Sequence, residues 1–345
     1  MTHLPPRSQD RRIGGLVALV VGVALLTYAV TRLTTPTSSV PAAAPTPAVA
    51  PTPAPPSFAP LPGASLTARQ VLASGAGLRA PREAVSFPDG HIAVADPDNK
   101  RVVLLAADGA VLKSITTAGS DALQAPYALA ATAHTLFVLD AQRGAIERYS
   151  ESGQFKGELA HTQVLFDGRG MALDSNGHFY IANPLLNGIV VVSVSDGKIL
   201  SKAQTPLGAA PGQFNQPAAV AVDAQGDLYV MDNLNNRIQE LGPSGAFIAQ
   251  WPAPNTDTLH SAHLVILSGT AGTAGRLVSS DPNAHALLVY APQGGSPTRL
   301  PVQITGQPAD AVEPLGLFTQ KNGMILVTDG RENRVLTVPI PASLP

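Results

Sequence analysis

One spacing, repeated six times, constrains this chain more than any other feature of its sequence. Asp96, Asp140, Asn183, Asp232, Asp281 and Asp329 each close a short apolar run, at intervals that differ by only a few positions. Six positions beyond each stands another apolar side chain: Val102, Ile146, Ile189, Ile238, Leu287 and Val335. A constant offset at six places means one supersecondary unit copied along the chain. The fullest copy runs from Gly208 to Trp251, with a proline, two apolar runs split by a glycine turn, a second turn and Arg237-Ile238. The fifth copy is degenerate, its two apolar runs separated by a Gly/Thr/Ala-rich insertion.

Each copy reads as four short strands. Ile92–Ala95, Leu136–Leu139, Phe179–Ala182, Leu228–Met231 and Met324–Val327 are too short for helices, and Gly, Asp, Asn or Pro bounds them. They do not alternate with polar residues, which predicts sheets buried on both faces. Six small sheets stacked face to face around an axis supply that burial, so the pattern predicts an all-β, six-bladed β-propeller. Trp251 is the only tryptophan, which excludes a WD40 type. The sixth copy stops after its third strand. Arg69–Leu72 precedes the first copy as an outer strand would, so residues 68–73 are expected to pair with the sixth blade and protect its edge. The propeller would then occupy 64–345.

The fourth copy carries Gly208, Gly212, Gln213, Phe214 and Pro217, then Ala221–Asp223, Gly226–Val230 and Asn235–Ile238. This order, G-x-x-x-G-Q-F-x-x-P, A-V-D, G-D-L-Y-V, N-N-R-I, resembles the NHL repeat. The first and sixth copies match well and the others in part. The resemblance spans roughly Ala68 to Ile340 and implies a six-bladed propeller.

The repeated carboxylates read as structure. An Asp at a strand end caps backbone N–H groups of a turn. Asp96, Asp232 and Asp329 are each followed, five positions on, by Arg101, Arg237 and Arg334 as ion-pair partners. Function is expected instead where the copies differ. The resemblance implies that the position after each opening proline faces the mouth of the central channel. That slot holds Arg82, Tyr127, Arg169, Ala218, Ala262 and Leu315, with His263 beside the fifth. Arg82, Tyr127 and Arg169 on consecutive blades would form a cationic, partly aromatic lip for a carboxylate, sulfate, phosphate or sugar acid.

In peptide-amidating lyases of NHL type the slot supplies histidines to zinc. Here it has none, and His263 alone falls short of the three protein ligands a catalytic zinc needs. No metal, no cofactor and no catalytic residue is therefore assigned. H-E-x-x-H and G-x-S-x-G spacings are absent. The chain lacks cysteine, which excludes disulfides and thiolate chemistry.

The leader differs from all of this. Arg7, Arg11 and Arg12 precede Ile13–Val30, a run without a single charge. As a helix it would span about 27 Å, close to a bilayer's apolar core. The reading is a cytoplasmic stub (1–12), a signal-anchor transmembrane helix (13–32) and a Pro/Ala/Thr-rich disordered linker (33–63); a cleaved signal peptide is the competing one. Ten prolines among Thr34–Gly63 favour extended polyproline II, with a reach of about 90 Å. Arg7, Arg11, Arg12 and Arg32 lie ahead of Thr34, but Asp10 is the only acid there, so the rest of the chain carries an acidic excess. That balance excludes nucleic acid as a partner. The expectation is a propeller outside the cytoplasm on a bacterial-type membrane, as the resemblance to stalked receptor propellers implies. It would bind a protein, a glycan or a small anion. The alternative is a metal-dependent lactone hydrolase or lyase, to which Glu83, Asp167 and Glu313 could contribute.

Overall fold

The computed structural model describes residues 65–72, 75–204, 207–254, 263–267, 275–291, 295–320 and 323–341. The stub, the apolar run 13–30, the linker and Ala262 lie outside the described residues. Among the described residues no helix is long and apolar enough to cross a membrane.

Among the described residues six larger sheets of antiparallel strands follow one another along the chain, with a short hairpin, Thr117–Ala118 against Asp121–Ala122, between the first two. Blade 1 is Ala84–Ser86, Ile92–Asp96, Arg101–Leu105 and Val111–Ile115, with the first strand innermost. Blades 2, 3 and 4 repeat the order from Pro126 to His161, Gly170 to Gln204 and Pro217 to Pro252. Blade 5 is Leu264–Leu267, Arg276–Asp281, Ala286–Tyr290 and Thr298–Gln303, a full set in spite of its weak motif. Blade 6 takes three strands, Pro314–Thr319, Met324–Asp329 and Arg334–Pro339, from the end of the chain. Its outermost strand is Gln70–Leu72, antiparallel to the last of these, with Val71 opposite Leu336. A further strand had no signal in the sequence. Leu66–Thr67 adds to the outside of blade 5, parallel to Thr298–Gln303.

Side chains in a strand point alternately to opposite faces. In blade 1, Ala93 and Ala95 pack with Leu136 and Val138 of blade 2. Ile92 and Val94 pack with Leu326 and Val335 of blade 6. The same division recurs around the molecule, giving six apolar clusters, one at each seam between neighbouring blades. Both faces of every sheet are thus dry, which is why the second strands show no polar alternation. Each Val, Leu or Ile buried there contributes about 1.5–3 kcal/mol before chain entropy is counted.

The residue closing each second strand is buried in all six blades. It braces the loop that enters the innermost strand. Asp96 accepts from Arg79 N–H at 2.8 Å, Asp232 from Asn215 N–H at 2.6 Å and Asp329 from Glu313 N–H at 2.9 Å. The charge is balanced by Arg101 (2.7 Å), Arg237 (2.7 Å) and Arg334 (2.8 Å). Arg237 also donates to the carbonyls of Ala209, Ala210 and Gln213, tying the entry loop to the third strand. Blade 5 draws its cation from the outer strand, Arg299 to Asp281 at 3.1 Å. In blade 2 Asp140 accepts from the backbone N–H groups of Gln124, Ala125 and Arg143. Blade 3 uses uncharged Asn183, whose amide donates to the carbonyls of Val164 and Phe166. A buried carboxylate left without such partners would cost several kcal/mol, so each copy meets the requirement in its own way.

Innermost strands crowd at the axis. A Cβ on Gly170 would lie 2.7 Å from Ala219 Cα, and one on Gly316 would lie 2.0 Å from the Arg82 carbonyl oxygen. Glycine permits those approaches between blades 3 and 4 and between blades 6 and 1.

Candidate functional site

The ladder fixes which residues reach the axis. The residue before each repeat Asp or Asn faces one residue of the innermost strand: Ala95 N–H donates to the Glu83 carbonyl, and Ser280 N–H to that of His263. In the same register Leu139 faces Ala128, Ala182 faces Gly170 and Met231 faces Ala219. In blade 6 Gly316 N–H donates to the hydroxyl of Thr328, the residue before Asp329. Glu83, Ala128, Gly170, Ala219, His263 and Gly316 thus form one axial ring, four of them with a methyl or no side chain at all. The two large members fill the space so left: Glu83 Oε1 and His263 Nε2 lie 3.5 Å apart although their blades are not neighbours.

Just outside this ring stands the slot ring. Arg82, Tyr127, Arg169, Ala218 and Leu315 line a small axial pocket together with Glu83 and His263. Its volume is about 20 Å³, room for about one water-sized group. The Arg169 guanidinium carbon sits 4.6 Å from the Tyr127 ring centre, and that of Arg82 sits 5.5 Å from it, both within cation–π range. Arg169 also holds Asp167 at 2.6 Å. The four residues expected at the mouth, Arg82, Tyr127, Arg169 and His263, are therefore brought together. His263 does not stand alone, as its sequence context suggests; its partner is Glu83.

Burial decides the charges here. Removal from water pushes the Glu83 carboxyl up to about 8, although its Oε2 accepts from Leu129 N–H at 2.8 Å. The same burial pushes His263 down to about 4, against the opposing effect of a backbone hydrogen bond. At pH 7 both groups are uncharged. His263 Nδ1 is buried and has no hydrogen-bond partner among the described residues. Burial also works against the charge of Arg169, but Tyr127 and Asp167 outweigh it and hold that guanidinium above its ordinary range. Arg82 and Arg169 thus bring two guanidinium groups to the mouth, and Asp167 pairs with the second of them.

A second, larger space opens beside the first. A cleft of about 470 Å³ between blades 3 and 4 shares Arg169 and Ala218 with the axial pocket. Asp167, Asn187 and Gln216 on its wall have left-handed backbones, with φ of 61°, 48° and 52°. That of Asn187 recurs at the same turn position in Lys100, Asn236, His285 and Asn333, and that of Gln216 in Ala80, so both belong to the repeat. Nothing in the motif spacing pointed to this cleft, because its wall comes from loops of irregular length. Glu83 was legible in principle: it precedes Asp96 by the same offset at which Gly170, Ala219 and Gly316 precede Asn183, Asp232 and Asp329. Glu313, the other acid named, lies outside both spaces, its backbone tied to Asp329 and Gly330. Among the described residues no three His, Cys, Asp or Glu side chains converge to hold a metal ion.

The family model for the NHL repeat matches residues 214–241, the heart of blade 4. The chain carries an NHL repeat within a six-bladed propeller. Solved structures share the fold. Virginiamycin B lyase from Staphylococcus aureus, in a catalytically inactive form with quinupristin, is 16% identical with a TM-score of 0.55, over 76% of this chain and 80% of that one. A streptogramin B lyase is 15% identical with a TM-score of 0.56, over 79% and 97%. An auxiliary nutrient binding protein from Bacteroides ovatus is 11% identical with a TM-score of 0.56, over 74% and 68%. The propeller fold thus accommodates a lyase and a binding protein alike, and at these identities the likeness extends to fold alone.

Proposed function

We propose that this chain is a membrane-tethered, extracytoplasmic binding protein whose propeller takes a small anion at its axial mouth. The observation that carries the reading is the convergence of Arg82 and Arg169, from blades 1 and 3, on the Tyr127 ring of blade 2. The two guanidinium groups offer planar hydrogen-bond donors in a partly desiccated setting, where they attract an oxyanion more strongly than in open water. The tether rests on the apolar run 13–30 behind three arginines, and the stalk on the prolines of 34–63. Calorimetric titration of the full chain in nanodiscs with acetate, sulfate, phosphate and galacturonate tests the mouth. Saturable binding of at least one anion is expected, lost when Arg82 and Arg169 are both replaced by Ala. Undiminished affinity in that double variant defeats the reading.

The Glu83–His263 pair favours a second reading, a lyase or lactone hydrolase. A neutral carboxylic acid facing a neutral imidazole can give and accept a proton at one site. Turnover of a lactone and ester panel that disappears in His263→Ala, with or without added divalent ions, would establish it.

A further inference from the structure

We infer that the anion taken at the mouth is amphipathic: a small carboxylate whose uncharged body lies in the cleft between blades 3 and 4. This rests on the mouth reading above and adds the class of ligand. The axial pocket admits only a tip, whereas the adjoining cleft of about 470 Å³ falls in the size range of small-molecule sites. The two spaces meet at Arg169, so a molecule anchored there by its carboxylate must extend along the cleft wall.

That wall has two kinds of surface. Asn187, Asn215 and Gln216 bring amides to it, groups that both donate and accept. Pro184, Leu185 and Leu207 bring apolar surface. Leu185 and Leu207 are 62% and 64% exposed, the two most exposed large apolar side chains among the described residues. Phe166 and Leu234, 40% and 38% exposed, belong to loops at the same end of the strands. Open leucines concentrated at a cleft gain by being covered, at about 25 cal/mol for each Å² removed from water. The lining therefore combines a cation, amides and apolar surface. It matches a molecule with a carboxylate, an amide or ester and an apolar group. A glycan fits less well, since the cleft wall offers leucines in place of the aromatic faces on which sugar rings stack. A long polymer exceeds the volume.

The test uses the full chain in nanodiscs and three compounds: N-benzoylleucine, its primary amide and N-acetylglycine. Calorimetry should show N-benzoylleucine binding at least tenfold more tightly than either of the others. Arg169→Ala should remove its advantage over the amide. Leu185→Ser with Leu207→Ser should remove its advantage over N-acetylglycine and leave the melting temperature unchanged, because both side chains already face water. If N-acetylglycine binds as tightly as N-benzoylleucine, the cleft takes no part and the mouth reading alone survives. If galacturonate binds through Arg82 and Arg169 while N-benzoylleucine does not, the ligand is a sugar acid and the amphipathic assignment fails. If no anion binds, both fall together.

Discussion

Two rings of side chains lie almost in contact in this molecule and obey opposite rules. The ring of Asp96, Asp140, Asn183, Asp232, Asp281 and Asp329 is nearly uniform, wholly buried and satisfied in every blade. The slot ring is one step away; in blade 2 Asp140 pairs with Pro126, and Tyr127 is the next residue. Yet the slots hold two arginines, a tyrosine, an alanine and a leucine among the described residues. Uniformity reflects a demand that every blade shares, namely bracing its entry loop. Variety is possible only where no such demand exists, at the open end of a channel. A repeat protein therefore separates its framework from its specificity by position in the ladder, not by distance.

The largest effect should come from breaking the uniform ring. Asp232→Ala strands buried Arg237 and removes the acceptor for Asn215 N–H and the Asn235 and Gln239 amides. A loss of about 3–5 kcal/mol is expected in chemical denaturation. Arg169→Ala should do the reverse: its half-buried pair with Asp167 is worth no more than about 1 kcal/mol to folding, but anion affinity should drop by about 1.5–3 kcal/mol in titration. Gly316→Ala tests whether the rings are separable. Its new methyl meets the Arg82 carbonyl, so about 1–3 kcal/mol of stability should be lost together with some affinity. An affinity unchanged in that variant would mean that crowding at the axis does not reach the mouth.

The last effect, the smallest per unit of pH and a slope in place of a step, comes from Glu83. Glu83 keeps its proton up to about 8 in the fold and only to 4.5 in the unfolded chain. Its contribution is complete below 4.5 and fades as pH rises towards and through about 8, at no more than about 1.4 kcal/mol per unit. Glu147, also pushed up to about 8 by burial, tilts the profile the same way. Glu83→Gln should flatten the profile of melting temperature between pH 5 and 8 relative to the parent chain. An identical slope would show that Glu83 is ionised in the folded molecule.

Much of the architecture could be read from the chain because burial on both faces leaves uninterrupted apolar runs at regular intervals. The repeat Asp and Arg residues were legible for a related reason, since an ion pair between near neighbours in sequence is a local object. The slot residues Arg82, Tyr127 and Arg169 followed once the entry to each blade was placed. Leu66–Thr67 escaped notice because so short a strand carries no periodicity. Glu83 and His263 belong to the first and fifth copies, far apart along the chain, so only closure of the ring makes them neighbours. The fifth blade's register was hard to place because its Gly/Thr/Ala-rich insertion stretches the offset from His263 to Asp281 beyond that of the other copies.

The short strand on blade 5 has a mechanical consequence. Ala68 N–H donates to Gln303 and Arg69 N–H to Thr337, so the leader crosses from one sheet to the next like a single stitch. Traction entering from the N-terminal side must first unpick the brief pairing of Leu66–Thr67 before it loads the seam that joins the ends of the circle. A tugged molecule would give way there first and stay whole, so the stitch acts as a fuse.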